Sequence, residues 1–184
     1  MKIWINFIAF QLVWFAAVGG AGHGYWWAGP VALVAFVAWH LRRDVRARGD
    51  FRLMWIALAL GFGTDTLMAA ARLSEYASAV PPAPLAPFWI LSLWAGFALT
   101  LNHSMRWLTA RPLLLVPLAA VIGPTSYFAA GRVWGAVTIV APAGIALGVL
   151  GLCWFVAMSV LCVAARRLGR APDDSIPLPL MRAP

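Results

Sequence analysis

The chain has 184 residues, of which 63% are hydrophobic and 11% charged, with a mean hydropathy of +0.84. Soluble domains are about half apolar and about a quarter charged, so this composition excludes an ordinary soluble fold and points to an integral membrane protein. Fourteen Lys and Arg against six Asp and Glu give a net charge of +8; that excess is read as a set of topology signals, and nucleic acid is not expected as a partner.

A crossing helix needs about 20 mostly apolar residues, and six segments offer them. The first spans roughly residues 3–20 and carries Asn6 and Gln11, polar interruptions that favour a retained span over a cleaved secretory leader. The turn "GHGYWW" with His23 leads to a second, shorter span at 26–41, which His40 closes. The basic loop "RRDVRARGDFR" precedes the third span, 53–72, where Asp65 is the only carboxylate inside a predicted span. Polar groups at membrane depth are costly unless partnered, which makes Asp65 a functional candidate. Its structural alternative is a pairing with Arg72, seven residues on and hence on the same helical face. Gly61 and Gly63 predict close helix contact there.

The proline-rich loop "VPPAPLAP" leads to the fourth span, 87–108, an apolar run broken near its end by "TLNHSMRWL". Asn102, His103 and Arg106 share a face, and a helix continuing to 108 places His103 about 8 Å inside its end, against about 18 Å for Asp65. A direct His103–Asp65 dyad is therefore not expected. Instead there are two polar layers: Asn6, Gln11, Asn102, His103 and Arg106 in one, and Asp65 with Thr125, Ser126 and Tyr127 in the other. The latter three come from the fifth span, 113–130, just after a Gly-Pro break. The sixth span, 143–165, carries Gly144, Gly148 and Gly151 as a small-residue packing stripe, together with Cys153 and Cys162, which lie on opposite faces and do not pair. A short tail runs on from Arg166.

With the N-terminus inside, twelve of the fourteen basic residues fall on the cytoplasmic side: Lys2, Arg42, Arg43, Arg46, Arg48, Arg52, Arg106, Arg111, Arg166, Arg167, Arg170 and Arg182. Trp4, Trp39, Trp55 and Trp107 then mark inner span ends, and Trp26, Trp27, Trp89 and Trp134 outer ones, as an aromatic belt requires. The expected fold is thus an all-α integral membrane protein, a compact bundle of about six transmembrane helices with both termini cytoplasmic. Residues 1–184 form one polytopic domain. No metal is expected, because His23, His40 and His103 lie on separate segments without Cys or Glu at ligand spacing, and no cofactor motif or nucleophile elbow is present.

The stretches "NFIAFQLVWF" (6–15), "TLNHSMRWL" (100–108) and "GPTSYFAAGRVWGAV" (123–137) resemble those of a family of small bacterial inner-membrane proteins catalogued as a domain of unknown function, DUF2878. The resemblance covers nearly the whole chain. It implies a multi-pass protein of the bacterial inner membrane, without an assigned activity, whose genes tend to lie near lipid-modifying enzymes. Two functions are expected from this and from the residues. One is a membrane-embedded enzyme or accessory subunit in lipid or fatty-acyl modification, with membrane lipids and lipid-modifying enzymes as partners. In it His103 acts as general acid or base, Asn102 and Gln11 orient the substrate, and Arg106 holds a phosphate. Asp65 is then a second, deeper group, and Asn6, Ser126 and Tyr127 contribute to binding. The alternative is a small proton-linked transporter or lipid translocator using Asp65, or a membrane scaffold.

Overall fold

The structure, a computed structural model, describes residues 2–42, 47 and 49–169. Helices α1 (Lys2–Gly22), α2 (Ala28–His40), α3 (Asp50–Ala70), α4 (Phe88–Leu101), α5 (Arg106–Thr109), α6 (Pro112–Trp134) and α7 (Ala143–Gly169) are joined by two short strands, β1 (Ser74–Tyr76) and β2 (Val137–Ile139). Among the described residues, four helices are long and apolar enough to cross a membrane: α1, α3, α6 and α7. The apolar helices α2 and α4, with 13 and 14 residues, are shorter. Arg43, Arg46, Arg48, Arg170, Arg182 and the tail beyond Gly169 lie outside the described residues.

Elements start and stop where backbone chemistry dictates. Pro112 occupies the first turn of α6, where a missing N–H is harmless, and Gly135 ends that helix in the left-handed conformation at φ 64°. Gly49, at φ 80°, turns the chain into α3. Pro117 and Pro124 lie inside α6 and interrupt its hydrogen-bond ladder. The carbonyl of Ala120, four residues before Pro124, packs so closely on α7 at Gly151 that a Cβ there would strike it. Gly144 and Gly148 face open space, so the predicted glycine stripe reduces to Gly151.

Helix α4 is the centre of the bundle. Ten of its residues are buried, and it packs against α1, α2 and α3, while α6 packs on α7 and α7 on α3. Trp94 of α4 stacks on Trp154 of α7 with ring centroids 4.6 Å apart. The Trp94 ring lies where a Cβ on Gly61 would be, which is the close approach that Gly61 predicts; Gly63 faces open space instead. The outward faces of α1, α6 and α7 expose Ile8, Leu12, Leu113, Val121, Leu152 and Val156. Such a continuous apolar exterior suits a lipid environment and not water.

Three expectations are corrected. The fourth span does not run to 108: it ends at Leu101, and 102–105 form a turn leading to α5. The segments read as plain loops contain β1 and β2, which pair antiparallel with Glu75 opposite Thr138. Trp89 is not a belt residue, since it is 1% exposed and its Nε1 donates to the Ala77 carbonyl at 3.0 Å. By contrast Trp4, Trp55 and Trp107, near one end of the bundle, and Trp26 and Trp27, near the other, are exposed.

Candidate functional site

One end of the bundle gathers the start of α1, the end of α2, the start of α3 and the α4–α5 turn. That turn is held by backbone bonds from His103 N and Met105 N to the Thr100 carbonyl, at 3.0 and 2.9 Å. Thr109 adds a side-chain bond to the Leu101 carbonyl, one of the acceptors the helix end leaves open (2.8 Å). Asn6 of α1 clamps the turn from outside. Its Nδ2 donates to the Leu99 carbonyl at 3.1 Å, and its Oδ1 accepts from Ser104 Oγ at 2.7 Å and from Ser104 N at 3.3 Å.

The clamped turn presents Asn102 and His103 to Asp50, the first residue of α3. Asp50 Oδ2 accepts from His40 Nε2 at 2.7 Å, from His103 Nε2 at 2.8 Å and from the Ala47 amide at 2.8 Å. Its Oδ1 accepts from Asn102 Nδ2 at 2.8 Å. Four donors and the positive end of α3 stabilise the buried carboxylate. The two imidazoles meet edge to face, centroids 4.8 Å apart. Their nearest ligating atoms and those of Asp50 all lie within 4.8 Å of one another. His40 is wholly buried and its Nδ1 has no partner, whereas 15% of the His103 side chain is exposed. His40 and His103 stand on separate segments of the chain, and folding joins them through Asp50, which the ligand-spacing argument did not consider.

A second carboxylate lies toward the other end. Asp65 is fully buried; its Oδ1 accepts from Tyr76 and Tyr127 hydroxyls, each at 2.8 Å, and its Oδ2 from Trp94 Nε1 at 2.8 Å. Burial, and then the neighbouring Asp65 carboxylate, push the Tyr76 phenol above its ordinary range, so it stays a donor. Three neutral donors from β1, α4 and α6 take the place expected for Arg72, which is exposed at the end of α3 with φ 53°.

Between α1, α4 and α6 lies a cavity of about 370 Å³, almost wholly apolar. Gln11, Ser126 and Tyr127 are among its lining residues, and Trp154 of α7 lines it too. Phe15, Leu118 and Ile122 line it and are exposed on the outer surface of the bundle, so it opens sideways, toward the face that meets lipid. Met105 and Leu108 bring its lining to the segment that follows His103.

The expected site residues thus separate into three groups. His103 and Asn102 join Asp50, with Asn6 behind them; Asp65 and Tyr127 join each other; Gln11, Ser126 and Tyr127 share the cavity. Arg106 is exposed beside the His103 turn. Thr125 is exposed and bonds back to the Val121 carbonyl. Sequence reasoning missed Asp50, His40, Ser104, Tyr76 and Trp94. The available signal for Asp50 was its place: an acid directly after a glycine, opening an apolar run, amid arginines that do not need it for topology.

A family described as "Protein of unknown function (DUF2878)" matches residues 3–160. No curated protein and no solved structure matches the chain.

Proposed function

The chain belongs to the DUF2878 family of unknown function, and within it we propose a membrane-embedded enzyme, or accessory subunit of one, in lipid or fatty-acyl modification. The observation that carries this reading is the Asp50 carboxylate bound to two imidazoles, one sealed and one partly open. Accepting from Nε2, Asp50 fixes the tautomer of His103, leaving Nδ1 to take a proton from a substrate or return one. Asn102 occupies the other Asp50 oxygen, so it acts as a positioning residue and not on the substrate. Exposed Arg106 suits a lipid phosphate.

The cavity supports a lipid substrate by its chemistry: an apolar space that opens toward the bilayer takes an acyl chain without bringing it through water. In this reading the chain crosses the bacterial inner membrane six times, with α2 and α4 as short spans and the Arg-bearing end cytoplasmic. Asp65, held by three donors, serves the packing of the bundle; its enclosure favours that role over proton carriage. Mass spectrometry of total membrane lipids tests the proposal in a strain lacking the protein, complemented with intact protein or His103→Ala. A lipid species restored by the intact protein alone is the expected result. Identical lipids in all three strains would sink the idea.

A further inference from the structure

Among the described residues, His40, Asp50 and His103 are the one place where three metal-ligating side chains converge. The geometry points to a divalent transition-metal site formed by the two Nε2 atoms and Asp50 Oδ2. Two imidazoles and one carboxylate suit zinc and its first-row neighbours, whereas magnesium and calcium take oxygen shells.

The separations fit a site closed on its own hydrogen bonds. Zinc binds His and Asp at about 2.0–2.2 Å, which sets tetrahedral ligand atoms roughly 3.3 Å apart. The Nε2–Oδ2 distances of 2.7 and 2.8 Å therefore need open by only about half an ångström. His103, on a turn and partly exposed, has room to make that shift. Both rings already aim Nε2 at the same oxygen. Asn102 holds the other oxygen of Asp50, an outer support of the kind that orients a ligating carboxylate. Ligation through Nε2 replaces the two hydrogen bonds to Asp50 and moves each ring proton to Nδ1. Three ligands leave a fourth position, on the open side of His103, for water or a substrate oxygen.

This inference rests on reading the Asp50 cluster as the reaction centre and adds what that centre holds. With the ion bound, His103 is a ligand, and the proton-exchanging role above belongs to the metal-free form. The test uses the full chain purified in detergent, stripped with chelator, re-equilibrated with zinc and assayed by elemental mass spectrometry, with cobalt absorption as a report of tetrahedral geometry. One zinc per chain is expected, falling to background in His40→Ala and His103→Ala but not in His23→Ala, whose histidine is exposed at the far end. Asn102→Ala keeps every ligand and is expected to weaken binding about 10- to 100-fold. Circular dichroism checks that each variant remains helical, and His103→Gln provides a second substitution at the more accessible position. No zinc above background in the intact protein, or stoichiometry unchanged in the His40 and His103 variants, overturns the inference. If zinc is absent while His103→Ala still removes the lipid product, this inference falls and the acid–base reading stands. If zinc binds and the lipids never change, the reverse holds.

Discussion

At the scale of single residues, the two buried carboxylates are held in contrasting ways. Asp50 gathers groups that titrate or ligate and leaves one of them partly open; Asp65 gathers phenols and an indole and is sealed. Their substitutions should therefore separate. Tyr76→Phe removes one donor from a sealed acceptor and is expected to cost about 1–3 kcal/mol of stability, with normal lipids in cells that retain the protein; thermal unfolding in detergent measures the first and lipid mass spectrometry the second. Asn6→Ala should lower stability by about 1 kcal/mol and also reduce lipid product, because Asn6 braces the turn that carries His103. A variant that loses stability with full product would show that the turn holds its shape without Asn6.

At the scale of elements, sequence was informative where polarity interrupts an apolar run and silent where partners come from different segments. His103, Asn102 and Asp65 stood out because an apolar helix has no routine use for them. Asp50 and His40 did not, since a charged or polar group at a helix end has an ordinary explanation. The strands escaped for a similar reason: "SEY" and "VTI" are too short to show alternation and lie on opposite sides of α4 and α6 in the chain. The break after Leu101 was also hidden, because Trp107 and Leu108 extend the apolar run beyond the helix. Packing gives a paired test on α3. Gly61→Ala drives a methyl into the Trp94 ring and should destabilise by about 1–3 kcal/mol. Gly63→Ala meets open space and should stabilise by roughly 0.5–1 kcal/mol through helix propensity. Equal effects from the two would remove the close-packing account of Gly61.

At the scale of the whole molecule, the six-crossing arrangement we propose would place Arg106 and Pro82 on opposite sides of the membrane. Single cysteines at these two exposed positions distinguish the orientations. Pro82→Cys is expected to react with an impermeant maleimide in spheroplasts, and Arg106→Cys only after permeabilisation. The reverse pattern would put the Asp50 cluster on the outer side and remove cytoplasmic lipid precursors as its substrates.

The enclosure of Asp65 also bears on how the protein is made. Its donors Tyr76, Trp94 and Tyr127 all follow it in the chain, and Tyr127 lies on α6. A ribosome therefore delivers α3 with its carboxylate before any of the three has emerged, and the last arrives only when most of the bundle has been synthesised. Until then the newborn helix carries an acid without its hydrogen-bond partners, a costly group at membrane depth. A chain halted after α4 has two of the three donors and should be cleared by membrane quality control faster than one halted after α6, a difference that pulse labelling would read directly.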